Sequence, residues 1–98
     1  SMAIGAMRAI ENAGLTPMKD IIICAVADGQ KEALQLIKEG KYGATGMNSP
    51  VLTAHMAVEI AVEVAKGEEK EYPKVTYTPA ICITKENVDQ YYDPNAIF

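Results

Sequence analysis

Two rhythms of apolar residues alternate along the chain, one helical and one extended. From Met2 to Ala13, the apolar residues Ala3, Met7, Ile10 and Ala13 fall on one helical face, with Arg8, Glu11 and Asn12 off it. Gly14 supplies a natural C-terminal stop. After a Thr16-Pro17 turn, Asp20 opens the run Ile21 to Val26. Its unbroken β-branched content suits a strand covered on both faces, as in a parallel sheet. Asp28-Gly29 breaks the run, and Gln30 to Glu39 is the next helix, with Ala33, Leu34 and Ile37 as its apolar stripe and Gly40 as its end. Tyr42 to Met47 reads as a short strand that Gly43 and Gly46 weaken.

Asn48-Ser49-Pro50 is a helix start: Ser49 suits the cap and Pro50 the first helical position. That helix runs to about Lys66, with Gly67 as its stop. A charged loop, 68–71, leads to Lys74–Thr84, a strand interrupted at Pro79, which has no N–H for a ladder. Thr84 caps a short helix, Lys85 to Tyr91, and Asp93 to Asn95 form a turn before an apolar tail. The order αβαβαβα predicts an α/β fold: a mostly parallel sheet in a three-layer arrangement.

Length and charge narrow the classes. The chain has 98 residues, 49% hydrophobic and 22% charged, with a net charge of −4. That fits a single globular unit and excludes collagen-like and disordered chains. No basic patch or stripe of the kind a nucleic-acid module carries is present, so no nucleic-acid partner is expected. The longest apolar run, Ile21 to Ala27, is far short of the roughly 20 residues of a membrane-spanning helix. The first residues lack the basic n-region of a signal peptide, and Ser1 ahead of Met2 reads as the remnant of an expression tag.

Candidate chemistry is sparse. Cys24 lies in an apolar run and Cys82 alternates with Ile81 and Ile83, so both read as small buried hydrophobes; spacing leaves a disulfide between them open. One histidine and two isolated cysteines are too few ligands for a metal site, and no cofactor is expected. His55 shares a solvated helical stripe with Glu59, Glu63 and Lys66, and Glu59 is within reach as its partner. Neither glycine-rich phosphate motif occurs. Asp28 and Asn48 each follow an expected parallel strand, where α/β sheets gather ligands. A carboxylate and an amide there suit a polyhydroxylated ligand. The same residues equally suit a helix cap and a turn. The five tyrosines are expected to pack rather than to stack on a ligand.

The strings MAIGAMRAIENAG, DIIICAVADGQKEALQLIKEGKYGAT, NSP, AVEIAVEVAKGE and YTPAICITKENVDQYY occur in this order. Together they resemble the C-terminal part of type I periplasmic sugar-binding proteins of bacterial ABC transporters, similar to ribose-binding protein. The resemblance implies part of a two-lobed α/β fold, in which sugar is held between lobes joined by three crossing segments. Residues 1–47 then belong to the C-terminal lobe, 48–79 to a crossing and a helix of the other lobe, and 80–98 to the return strand and tail. Asp28 matches an aspartate that hydrogen-bonds sugar hydroxyls. Asn48 matches a position, usually glutamine, at the second crossing. The implied function is non-enzymatic sugar binding, with an ABC permease as partner of an extracytoplasmic parent protein of which this chain is a fragment.

Two other classes share less of the pattern. Sugar-sensing domains of lactose-repressor-type regulators have the same fold, but the ending TKENVDQYYDPNAIF looks more like the transporter branch. A freestanding α/β enzyme would need a nucleophile–base pair, metal cluster or phosphate loop. The helix Pro50–Lys66 has an apolar face broader than a solvent-lying helix needs. It is expected either to fold back on its own sheet or to be covered by a second copy; an intertwined homodimer through this helix is the favoured outcome.

Overall fold

A computed structural model of the chain describes residues 2–26, 29–68 and 70–98. Helices α1 (Met2–Asn12), α2 (Lys31–Lys38) and α3 (Pro50–Ala65) are interleaved with strands β1 (Ala44–Gly46) and β2 (Cys82–Thr84), and a 3-10 turn spans Val88–Gln90. The helices begin and end within a residue or two of where periodicity and punctuation put them. Ser49 caps α3, its hydroxyl accepting from the Leu52 N–H at 3.3 Å, with Pro50 in the first turn. All three helices end on a glycine in the left-handed region, closed by a pair of bonds back into the last turn. In α2 these run from the Lys41 N–H to the Leu36 carbonyl at 2.9 Å and from the Gly40 N–H to the Ile37 carbonyl at 3.0 Å.

The sheet is small and mixed. Segment 21–26 runs parallel to β1, held by a bridge between Cys24 and Ala44. The Ala25 N–H donates to the Ala44 carbonyl at 3.0 Å, and the Gly43 N–H to the Ile23 carbonyl at 2.8 Å. β2 pairs antiparallel with β1, setting Thr45 opposite Ile83 and Gly46 opposite Cys82. The α/β class stands, but parallel pairing fails for the returning strand. The cause is the path of the chain. Thr76 and Thr78 lie against Thr53, Met56 and Ile60, so the segment after α3 travels back along the helix toward its start. It re-enters beside the residue where the chain left, the Met47 N–H donating to the Ile81 carbonyl at 2.8 Å. A strand entering at the end of β1 runs against it.

The core gathers Met7 from α1, Ile23, Leu34 and Ile37 from α2, Tyr42, Ile83 and Val88. The α2 stripe of Ala33, Leu34 and Ile37 is buried as the pattern required. In α1 the buried pair is Ile4 and Met7, and Ala13 is exposed.

Several expectations are corrected. Segment 21–26 is not covered on both faces: Ile23 is buried, whereas Ile22 and Val26 are 72% and 94% exposed. Cys24 and Cys82 are exposed free thiols rather than buried hydrophobes. Alternation is the reason: with Ile83 turned inward beside Thr45, Cys82 faces outward. Only 82–84 of the expected strand 74–84 pairs as a strand. The expected helix 85–91 is reduced to the 3-10 turn. There the Thr84 hydroxyl bonds the Glu86 carboxylate instead of a helix N–H, and Asn87 clamps the turn by accepting from the Thr84 N–H at 2.8 Å and donating to the Cys82 carbonyl at 3.0 Å.

α3 does not fold back into the core, and none of its 16 residues is buried. The molecule is accordingly long, 60 × 26 × 21 Å, with a radius of gyration of 17.3 Å. A compact chain of this length has about 13 Å.

Candidate functional site

Segment 21–26 and β1 run parallel, so their carboxyl ends share one edge of the sheet, where open α/β sheets bind ligands. The loop leaving the first is fastened to the end of the second. The Gly29 N–H donates to the Thr45 hydroxyl at 3.4 Å. Thr45 is the buried polar residue of the core, 1% exposed, and its hydroxyl donates onward to the Gly46 carbonyl at 3.4 Å. Gly29 has φ +71°, and a β-carbon there would stand 3.2 Å from the Met47 Cα and 3.8 Å from the Asn48 nitrogen. Only a residue without a side chain lets these two loops approach so closely.

Asn48 is exposed on this rim, and its amide has no hydrogen-bond partner among the described residues. Both its donor and its acceptor are free for a ligand. Asp28, the other expected site residue, lies outside the described residues. Its neighbour Gly29 is the residue that abuts the Met47–Asn48 backbone.

Beneath this rim is an open cavity of about 370 Å³, lined among others by Gly29, Leu34, Met47, Val51, Tyr91 and Phe98. The C-terminal tail forms one wall and is held by Lys31, whose ammonium donates to the Ala96 carbonyl at 2.9 Å and the Pro94 carbonyl at 3.3 Å. The Asp93–Asn95 turn forms as expected, with the Asn95 N–H donating to the Asp93 carboxylate at 2.8 Å. The Lys31 contact had no signal in the sequence, since it joins residues 65 positions apart. Thr45 had a weak one, a lone hydroxyl in a strand otherwise made of small residues.

Other candidate chemistry does not gather here. His55 is exposed on α3, without an ion pair to Glu59 among the described residues. Among the described residues no three His, Cys, Asp or Glu side chains come together as metal ligands, and no described helix is long and apolar enough to cross a membrane. Tyr42 is buried in the core, with Tyr91 and Tyr92 packed against it, whereas Tyr77 is 83% exposed. Tyr72 fastens the segment after α3 to the helix, donating to the Glu63 carboxylate at 2.5 Å, with Lys70 3.4 Å from the same oxygen. The Tyr72 hydrogen bond holds the Glu63 carboxyl below the usual carboxylate range; desolvation opposes it, and the Lys70 charge adds a smaller lowering. The same hydrogen bond pushes Tyr72 up to about 12.

A strand edge with two fastened loops, on part of an α/β lobe, is what a solute-binding fold presents to its ligand. The family model for the periplasmic binding protein domain matches residues 1–69, and the chain belongs to that family. The resemblance to type I periplasmic sugar-binding proteins is thereby borne out. The chain is similar to the ribose import binding protein of Bacillus subtilis, at 38% identity over 68 residues, 69% of this chain and 21% of that protein. Its structure is similar to an ABC transporter periplasmic solute-binding protein of Actinobacillus succinogenes with bound D-allose, with a TM-score of 0.77 and 32% identity over 92% of this chain and 30% of that one. It is similar also to the binding component of an arabinose ABC transporter of a Shewanella species bound to L-arabinofuranose, with a TM-score of 0.74 and 34% identity over 93% and 29% of the two chains. The chain thus spans between a fifth and a third of the length of these relatives.

Proposed function

We propose that this chain forms part of the sugar-binding cleft of a solute-binding protein serving an ABC importer, and that it binds without catalysing. The ligand is a neutral sugar or polyol, hydrogen-bonded by the Asp28 carboxylate and the Asn48 amide. The rest of the cleft comes from the other lobe. Residues 1–47 and 80–98 belong to one lobe, and 48–79 carry the crossing and a helix of the other. The partner of the whole protein is a membrane permease, and its place is outside the cytoplasm.

The observation that carries this reading is the approach of Gly29 to Met47 and Asn48. The residue beside Asp28 thereby stands against the residue that bears the free amide. Support comes also from the relatives, whose names and bound molecules are sugars.

On its own the chain offers part of one wall, whereas a tight site buries most of its ligand. Binding by the isolated chain is therefore expected to be weaker than about 1 mM. Amide chemical-shift mapping with a panel of aldoses and polyols at tens of millimolar tests it. Saturable shifts at Gly29, Gln30 and Met47 to Ser49, lost in Asp28→Ala and in Asn48→Ala, are expected. Saturable shifts elsewhere in the chain, or none with any sugar, would overturn the reading.

A further inference from the structure

Helix α2 begins without local support. Gln30 holds its cap position in extended backbone, and the Gln30 side chain makes no cap hydrogen bond. The first helical residue is Lys31, a cation at the end of the helix whose dipole favours anions. Neither residue helps the helix to start. The support comes from a segment far along the chain. The half-buried Lys31 donates through its ammonium to the Ala96 carbonyl at 2.9 Å and to the Pro94 carbonyl at 3.3 Å. It makes no ion pair among the described residues.

The two carbonyls are presented by a turn that is itself tied. The Asp93 carboxylate accepts from the Asn95 N–H at 2.8 Å, and the Asp93 carbonyl from the Ala96 N–H at 3.1 Å. Pro94 fixes one φ of this turn, so its carbonyls are ordered before the ammonium arrives. Two carbonyl dipoles offset the placing of a cation at the wrong end of a helix. They also leave that cation committed to the turn.

We infer that Lys31 is a positioning residue for the ligand loop, acting through the turn at residues 93–96. The inference rests on the reading of Asp28 as a sugar-binding residue. The loop that carries Asp28 is fastened at two points beyond it. The first is the Gly29 N–H on the Thr45 hydroxyl at 3.4 Å. The second is Lys31, two residues further on. A loop held at a single point can pivot about it, whereas two fastenings set both its place and its direction. Gly29 ties the loop to β1, and Lys31 ties it to the segment that follows β2. The loop is thereby referenced to both strands of the sheet.

The test is amide hydrogen exchange of the 98-residue chain, followed by NMR without ligand. The Gly29 amide donates to Thr45 and the Leu34 amide to the Gln30 carbonyl at 3.1 Å, so both report on the loop and the first turn. Lys31→Met keeps the stem and removes the donors. It is expected to speed exchange at Gly29 and Leu34 about tenfold or more, the worth of a hydrogen bond to a charged group. The Lys41 amide, bonded to the Leu36 carbonyl at the other end of α2, should change less than about threefold, because it reports on the whole lobe. Lys31→Arg, which keeps the donors, should restore most of the protection. Asp93→Ala loosens the turn and should match Lys31→Met, and the double variant should lose no more than either alone. In Lys31→Met, the sugar concentration that half-saturates the shifts at Gly29 and Gln30 should rise about threefold to tenfold, since fewer molecules hold the loop in its binding position.

An equal rise in exchange at Gly29, Leu34 and Lys41, or a Lys31→Met chain that does not fold, would show that the clamp adds only general stability and would overturn the inference. So would unchanged exchange, additive losses in the double variant, or unaltered sugar shifts in Lys31→Met. If the wild-type chain shows no sugar shifts, the reading of Asp28 and Asn48 fails, and the exchange measurement still decides the clamp.

Discussion

Substituting Gly29 by alanine tests the link between the two loops of the site. Two separate costs arise. The backbone there has φ +71°, in the left-handed region, where a β-carbon costs about 1–2 kcal/mol. The new methyl would also stand 3.2 Å from the Met47 Cα and 3.4 Å from the Gly46 carbonyl oxygen, both backbone atoms that cannot swing aside. Forcing such a contact costs roughly 1–3 kcal/mol. Gly14 isolates the first cost, because it has φ +79° and nothing within 4 Å of the added carbon. Gly14→Ala is therefore expected to lose about 1–2 kcal/mol, and Gly29→Ala about 2–5 kcal/mol. Urea unfolding followed by circular dichroism measures both. For a domain of this size, each kcal/mol also lowers Tm by about 4–8 °C. Gly29→Ala is additionally expected to displace Asn48, so the sugar-induced shifts proposed for residues 47–49 should fade even where the protein remains folded. If the two variants lose the same stability, the close approach carries no energy and the argument for a joined rim fails.

Thr45→Val keeps the shape of a buried side chain but leaves the Gly29 N–H without its acceptor; a loss of about 1–3 kcal/mol in chemical denaturation is expected. Ser49→Ala removes the cap of α3 and should cost about 1 kcal/mol, seen as reduced helicity and a lower melting temperature. Tyr72 should ionise near pH 12 in ultraviolet difference titration, above the ordinary 10 of the phenol. Because the folded state raises that value, the Tyr72–Glu63 contact stabilises fully below pH 10 and is lost as pH rises toward 12; because Glu63 is lowered, the same contact is lost again as pH falls through its folded-state value. Glu63→Gln should return Tyr72 toward 10, and an unchanged titration would show that the carboxylate is not the cause.

Most of the helical content was legible along the chain, because its signals are local. The caps at Ser49 and the stops at Gly14, Gly40 and Gly67 act within one turn, and the α2 stripe of Ala33, Leu34 and Ile37 already marks its buried face. The order of motifs likewise carried the family. Asn48 was picked out by its position after a strand; it is exposed, and its amide has no hydrogen-bond partner among the described residues. The direction of β2, the exposure of Cys24 and Cys82, the tie from Gly29 to Thr45 and the clamp of Lys31 on the tail were not legible in this way. Each depends on a partner far along the chain. Pairing direction follows from where the chain re-enters the sheet, and periodicity does not record that path. An apolar run such as Ile21 to Val26 states that its residues favour burial; whether both faces are covered depends on which other segments are present to cover them. Local propensity is a property of neighbours in sequence, whereas burial and pairing are properties of neighbours in space.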